Sequence, residues 1–129
     1  MPTAFVTGAS GFIGGTLTRR LVAEGWAVRA LARSDRSAGI VSGLGAAPVP
    51  GSLDDVAAMA EGARDADVVF HAAAHLGEWG AEEDFVRGNV TGTANALAAA
   101  RRGGARRFVH VGTEAALLAG EPLVNVDET

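Results

Sequence analysis

The feature that most constrains the fold is a glycine-rich stretch near the start of the chain. Residues 6–15 have the sequence VTGASGFIGG, in which Gly8, Gly11 and Gly14 are spaced three apart. Ordering a glycine costs more backbone entropy than ordering any other residue, so three at regular spacing indicate a specific need. An apolar run precedes the stretch and a helix-like pattern follows it, which is the strand–turn–helix context of a phosphate-binding loop.

Each glycine has a separate expected role in such a loop. Gly8 permits a sharp turn after the strand, Gly11 lets the backbone approach a pyrophosphate, and Gly14 lets the helix pack closely on the strand. The free N–H groups of the first helical turn would face the anion. We expect Thr7 and Ser10 to add hydroxyl donors.

Strands and helices alternate along the rest of the chain. We predict strands at Thr3–Thr7, Trp26–Ala32, Ala47–Val49, Ala66–Ala73 and Arg107–Val111. We predict helices at Phe12–Glu24, Leu53–Glu61 and Glu82–Arg102, with Ser34–Gly45 as a loop that has room for a short helix. Short strands that are apolar on both faces indicate a doubly wound α/β parallel sheet of order 3-2-1-4-5, in one domain over residues 1–129.

The composition excludes several classes of protein. The 129 residues are 48% apolar and 20% charged, which is typical of a globular domain. No apolar run reaches the roughly 18 residues of a membrane span, and no signal-peptide pattern is present. The net charge is −4 and the arginines occur as separate pairs, so we expect neither a nucleic-acid nor a membrane partner. The lack of cysteine fits a cytoplasmic protein, and the three histidines show no metal-ligand spacing.

Four stretches resemble one protein family in their order and intervals. They are TGASGFIG at 7–14, FHAA at 70–73, NVTGTAN at 89–95 and RRFVHVGT at 106–113. Together they resemble the extended branch of the short-chain dehydrogenase/reductase superfamily, over nearly the whole chain. That branch includes sugar-nucleotide epimerases and dehydratases, dihydroflavonol-type reductases and hydroxysteroid dehydrogenases. The resemblance implies a Rossmann fold and hydride transfer to or from a small carbonyl or alcohol substrate.

The residue after the second strand bears on the choice of cofactor. An acid at this position accepts hydrogen bonds from the free 2′-hydroxyl of NAD. This chain has Arg33, and a guanidinium suits a 2′-phosphate, so we expect NADP rather than NAD. The alternative is that Arg33 is solvated and that Asp35 reaches the ribose. The family often has Gly-Asp-Leu after the third strand, where the aspartate contacts adenine, whereas this chain has Gly51, Ser52 and Leu53.

The resemblance implies a set of cofactor-binding residues. Small residues in the H-x-A-A element let the cofactor lie against the backbone, and Asn89 belongs to the helix behind the active site. The full set is Thr7, Gly8, Ser10, Gly11, Phe12, Ile13, Gly14, Arg33, Ser52, Leu53, Ala72, Ala73, Ala74 and Asn89. A homodimer through the helix that contains Asn89 is one assembly that fits the resemblance.

The resemblance also implies where the chemistry takes place. In the family a serine or threonine polarises a substrate oxygen, and a tyrosine transfers the proton with the help of a lysine. Thr113 aligns with the serine and is the expected catalytic residue, although it could also simply end a strand. The chain has no tyrosine, and all 11 of its basic residues are arginine, so the tyrosine–lysine pair is absent.

We therefore expect this chain to be the cofactor half of a larger enzyme and to be inactive alone. A nucleotide-sugar epimerase or dehydratase of the same fold is one alternative. A noncatalytic NADP-binding sensor module is the other.

The three histidines have different expected roles. We expect His71, at a strand end, to be structural and His110 to be a core or helix-facing residue. His75 follows the strand at the mouth of the crevice, where it could line a substrate pocket with Leu76 and Trp79.

Overall fold

A five-stranded parallel sheet forms the centre of the molecule. The computed structural model describes residues 1–73 and 82–112. Within them the strand order is β3-β2-β1-β4-β5, with every neighbouring pair parallel, which confirms the predicted order. The strands are β1 (Thr3–Thr7), β2 (Ala27–Ala32), β3 (Ala47–Pro50), β4 (Val68–His71) and β5 (Arg107–His110).

The connections between the strands are helical. They contain α1 (Phe12–Ala23), α2 (Asp35–Gly43), α3 (Val56–Ala63), α4 (Glu82–Phe85), a π-helical segment (Val86–Thr91) and α5 (Gly92–Gly103). None of the helices in the described ranges is both long enough and apolar enough to cross a membrane.

α2 and α3 differ from the sequence prediction. The stretch Ser34–Gly45, predicted as a loop with room for a short helix, contains the nine-residue α2. Its N-terminus is closed by a capping box, in which the Ser34 hydroxyl accepts from the Ser37 N–H at 3.1 Å and the Ser37 hydroxyl from the Ser34 N–H. α3 starts at Val56 rather than Leu53, because Asp55 is its N-cap and accepts from the N–H of Ala58.

The helix predicted over Glu82–Arg102 is interrupted. α4 ends at Phe85, and six residues of π-helix precede α5. A π-turn widens the helix and rotates the residues that follow, and such turns are frequent at functional sites. β4 is likewise shorter than predicted, covering Val68–His71 instead of Ala66–Ala73.

Two apolar clusters fill the space between the sheet and its helices. On one face Val6 belongs to a cluster with Leu21 of α1 and Val41 of α2. On the other face Phe5 belongs to a cluster with Met59 of α3 and the buried alanines of α5. Sheet faces covered on both sides explain why the central strands are apolar in both directions.

All five strands run the same way, so their carboxyl ends lie at one edge of the sheet. β1 is the central strand, with β2 on one side and β4 on the other. The order of the strands therefore reverses beside β1, and ligands of doubly wound sheets bind at that point, outside the carboxyl ends.

Candidate functional site

A crevice lies at the carboxyl ends of β1, β2, β3 and β4. Its volume is about 690 Å³, and small-molecule sites are typically about 300–1,000 Å³. The expected cofactor-binding residues that line it are Gly8, Ser10, Gly11, Phe12, Ile13, Gly14, Arg33, Ser52, Leu53, Ala72 and Ala73.

Five further lining residues were not predicted. They are Leu31, Ser37, Gly51, Asp54 and Gly88. Gly51 and Asp54 flank the predicted residues Ser52 and Leu53, so extending that prediction by one residue at each end would have found them. Ser37 is brought to the crevice by α2, whose N-terminal capping signal in the sequence was missed.

Gly8 makes the sharp turn that leaves β1. Its φ is +76°, and a Cβ at this position would lie 2.6 Å from the backbone nitrogen of Ala73. The carbonyl of Gly8 then accepts from the N–H of Gly11 at 3.0 Å, which closes the turn. A side chain at Gly8 would therefore require a rare backbone conformation and would overlap the backbone of Ala72 and Ala73, which follow β4.

Gly14 and Gly11 differ in what surrounds them. A Cβ at Gly14 would overlap the carbonyl oxygen of Gly8, so this glycine allows α1 to pack against the turn. A Cβ at Gly11 would have one neighbour within 4 Å among the described residues, the Gly8 oxygen at 3.3 Å. Gly11 is exposed and lines the crevice, so its missing side chain leaves space for a ligand.

The N-terminus of α1 is suited to an anion. Gly11 is its N-cap and provides no side-chain cap, and the first turn contains no acidic residue. The unpaired N–H groups and the positive end of the helix dipole are therefore available to a ligand in the crevice. A phosphate group fits this arrangement.

The ends of β2 and β3 form another wall of the crevice. Arg33 follows β2 and is exposed, and no ion pair joins it to any residue that the structure describes. After β3, the Ser52 hydroxyl oxygen accepts from the N–H of Asp54 at 3.3 Å. No acceptor in the described part of the chain is bonded to the Ser52 proton, so a ligand can accept it. The carbonyl of Leu53 accepts from the Asn95 side chain at 2.8 Å, which ties this wall to α5.

A chain of hydrogen bonds, buried at Thr7 and His71, joins β1, β4 and the start of α5. The Thr7 hydroxyl is 2.7 Å from Nδ1 of His71, and the Thr93 hydroxyl is 3.1 Å from its Nε2. Thr93 in turn donates to the carbonyl of Asn89 at 2.7 Å. Burial, with a smaller contribution from His110, lowers the pKa of His71 to about 4, so its ring is neutral near pH 7.

These hydrogen bonds change the interpretation of Thr7 and support the interpretation of His71. Thr7 is completely buried and its hydroxyl is bonded to the His71 ring, not directed at the crevice. The expected donation from Thr7 to a phosphate is therefore not what the structure shows. His71 is buried, which fits the structural role expected for it. His110, expected to be a core or helix-facing residue, is exposed and stacks on His71 with ring centres 5.7 Å apart.

The remaining expected site residues have different outcomes. Asn89 lies in the π-helical segment, exposed, and next to Gly88 of the crevice lining. Ala74 and Thr113 lie outside the described residues, as do the residues from His75 to Trp79 that were expected at a substrate pocket. The described residues include no group of three or more His, Asp or Glu placed to hold a metal ion.

Comparison with known proteins identifies the family. The model of the NAD dependent epimerase/dehydratase family matches residues 4–128. The chain belongs to this family. Its fold, the glycine turn and the crevice at the carboxyl ends of the strands agree with that assignment.

Two curated relatives are reductases. A 4-hydroxy-2-methyl-3-oxo-4-farnesyl-3,4-dihydroquinoline-1-oxide ketoreductase of Stigmatella aurantiaca is 48% identical over 125 residues, covering 97% of this chain and 37% of the relative. A 2-alkyl-3-oxoalkanoate reductase of Shewanella oneidensis is 33% identical, covering 98% of this chain and 32% of the relative. The chain thus spans about a third of the length of the curated relatives it matches.

A solved member of the wider superfamily has a bound dinucleotide. It is a short-chain dehydrogenase/reductase superfamily protein from Agrobacterium tumefaciens with bound NAD. It is 31% identical to this chain, with a TM-score of 0.72, over 87% of this chain and 33% of that one.

Proposed function

We propose that the whole protein is an NADP-dependent oxidoreductase of the extended short-chain dehydrogenase/reductase type, and that this chain is its cofactor-binding half. The observation that carries the proposal is the glycine turn, where Gly11 leaves open space in the crevice at the uncapped N-terminus of α1. When bound, the cofactor supplies the hydride chemistry. The similarity to two reductases supports a small carbonyl compound as substrate.

Arg33 supports NADP over NAD. It follows β2 and lines the crevice beside Ser37, and it has no charged partner among the described residues. A planar guanidinium can form two parallel hydrogen bonds to the 2′-phosphate that distinguishes NADP. Asp35, the alternative contact to an NAD ribose, is not among the crevice-lining residues of the described ranges.

Titration of the protein with NADP and with NAD tests this proposal. Arg33→Ala should weaken NADP binding about 10- to 150-fold, because losing a charge-assisted hydrogen bond costs about 1.5–3 kcal/mol. NAD affinity should stay nearly the same. Arg36→Ala is the matched control, since Arg36 is an exposed arginine in the first turn of α2 and does not line the crevice in the described part of the chain. A wild type that prefers NAD, or equal losses for both cofactors, would contradict the assignment.

The catalytic roles belong to the same proposal. We assign to Thr113 the orientation of a substrate oxygen. We assign the tyrosine and lysine of the family's proton transfer to residues beyond this chain, since the chain contains neither type.

We also assign the protein to the cytoplasm, which fractionation can test. A homodimer through the helix containing Asn89 would cover Val90 and Leu97, which are 65% and 41% exposed. Sedimentation of the whole protein tests the dimer.

A nucleotide-sugar epimerase or dehydratase is the second candidate, because the matching family model is named for those activities. Assay of the whole protein separates the two. A reductase consumes NADPH in proportion to its carbonyl substrate. An epimerase interconverts nucleotide sugars without a net change in the cofactor.

A further inference from the structure

When the His71 ring is neutral, the hydrogen bonds around it have a single consistent direction. Thr93 donates its only hydroxyl proton to the Asn89 carbonyl, so towards His71 its oxygen can only accept, and Nε2 must carry a proton. A neutral imidazole has one N–H, so Nδ1 is bare and accepts the proton of Thr7. The Thr7 oxygen in turn accepts from the N–H of Ala73 at 3.3 Å. The donors therefore all point from the Ala73 amide towards the Asn89 carbonyl.

The two ends of this polar chain lie at the crevice. At one end, Ala72 and Ala73 line it, and Ala73 lies against the Gly8 turn. At the other end, Asn89 is in the π-helical segment, whose Gly88 also lines the crevice. His71 itself is completely buried and does not line it, so any effect on a ligand passes through these two ends.

We propose that His71, as the Nε2–H tautomer, is a positioning residue for the dinucleotide, holding in place two parts of the crevice lining, the Ala72–Ala73 backbone and the π-helical segment. The identity of the ligand rests on the proposed function. The ring does not contact the ligand. It determines where the Ala73 amide and the Gly88–Asn89 backbone stand when the ligand arrives, so less ordering is left for binding to achieve.

A purely packing role for the ring makes different predictions. A packing role depends on the volume of the side chains and not on the direction of the hydrogen bonds. Thr7→Val keeps the shape of Thr7 and removes its hydroxyl, whereas Thr7→Ser keeps the hydroxyl and removes a methyl group. If only packing matters, serine is the more harmful change. If the direction of the hydrogen bonds matters, Thr7→Val weakens dinucleotide binding more than Thr7→Ser does.

The first measurement uses the protein without any ligand. Long-range ¹H–¹⁵N NMR spectra distinguish Nδ1–H, Nε2–H and doubly protonated imidazoles. His71 should be the Nε2–H tautomer at pH 7. An Nδ1–H tautomer or a charged ring at that pH would overturn the proposal, whatever the protein binds.

The second measurement is the dissociation constant for NADP and NAD. Thr7→Val and Thr93→Val should each weaken binding about 2- to 12-fold, the usual worth of one hydrogen bond. Thr7→Ser should bind nearly as the wild type does. Leu21→Ala is the control for general destabilisation, because Leu21 is buried in α1 more than two turns from the glycine turn. It should lower the unfolding temperature without changing affinity.

The outcomes separate this inference from the function on which it rests. If the wild type binds neither dinucleotide, the proposed function fails and the positioning role fails with it. If the wild type binds and Thr7→Val binds equally well, or Thr7→Ser is weakened more than Thr7→Val, only the positioning role is wrong. Should Thr7→Val not fold, Thr93→Val and the tautomer measurement still decide the matter.

Discussion

Replacing Gly11 by valine should separate ligand binding from folding. The backbone of Gly11 has φ −88° and ψ −177°, an extended conformation that valine adopts readily. A Cβ there meets only the Gly8 oxygen, at 3.3 Å, among the described atoms within 4 Å, and otherwise points into open space. A poorer N-cap than glycine costs about 1 kcal/mol, and the reduced freedom of the unfolded chain returns about 0.4–1 kcal/mol. The free energy of unfolding should therefore change by less than about 1 kcal/mol.

The effect of Gly11→Val on the dinucleotide should be larger. The added side chain would occupy the space beside the N-terminus of α1 that a pyrophosphate needs. Forcing extra atoms into a packed contact costs about 1–3 kcal/mol, so affinity should fall about 5- to 150-fold. Isothermal titration measures the affinity, and urea denaturation measures the stability of the same samples.

Two other glycines serve as controls for Gly11→Val. Gly39→Val makes the same chemical change in α2, at an exposed position that does not line the crevice. A Cβ at Gly39 has no neighbour within 4 Å in the described part of the chain. Dinucleotide binding should therefore be unaffected. Gly14→Ala should lose both folding and binding, because its Cβ would overlap the Gly8 oxygen. A Gly11→Val variant that binds as tightly as the wild type, or a Gly14→Ala variant that is as stable as the wild type, would contradict these roles of the two glycines.

Three further predictions concern other parts of the molecule. Ser52→Asp should tighten binding of adenine dinucleotides about 2- to 12-fold, the worth of one hydrogen bond, because a carboxylate accepts from the adenine amino group. The hypoxanthine analogue lacks that amino group, so its affinity should not increase in the same titration. His71 has a folded-state pKa of about 4 against 6.5 in the unfolded chain, so between these values the unfolded state binds more protons and stability falls as the pH falls. The free energy of unfolding should fall by about 2 kcal/mol between pH 7 and pH 5. Urea denaturation of His71→Phe at both pH values should show that this part of the fall is absent. The whole protein should reduce a carbonyl substrate with NADPH, whereas residues 1–129 alone, having no tyrosine, should be slower by about 10²–10⁴; equal rates would show that another proton donor is present.

Local sequence signals were sufficient for the sheet and the glycine turn. The five strands follow from short apolar runs, and their order follows from the alternation with helices. Gly8 and Gly14 could be assigned because their needs are local, namely a positive φ and a close backbone approach. The crevice residues after each strand follow from the same rule, since the carboxyl ends of parallel strands meet at one edge.

The parts that could not be predicted depend on contacts between distant residues. The apolar spacing of residues 82–102 is helical throughout the π-helical segment, so Gly88 and Gly92 are the local signs of an irregularity there and neither predicts a π-helix. The bond between Thr7 and His71 joins residues 64 apart and depends on the register of β1 with β4. The place of Thr7 beside the glycines therefore could not reveal its partner His71. α2 was predicted only as a short helix within a loop because its apolar face is short, with Val41 as its one buried residue.

The central position of β1 also affects how the chain folds. β1 is made first, and one of its edges pairs with β2, where Thr3 lies opposite Ala27. Its other edge stays open until β4 has been made and Thr7 can meet His71, 64 residues later. Closing so long a loop costs entropy before any contact is gained, which slows folding. During that interval the open edge of β1 can pair with the same strand of another nascent chain, so synthesis on crowded ribosomes exposes this protein to aggregation at the strand that is most deeply buried in the folded state.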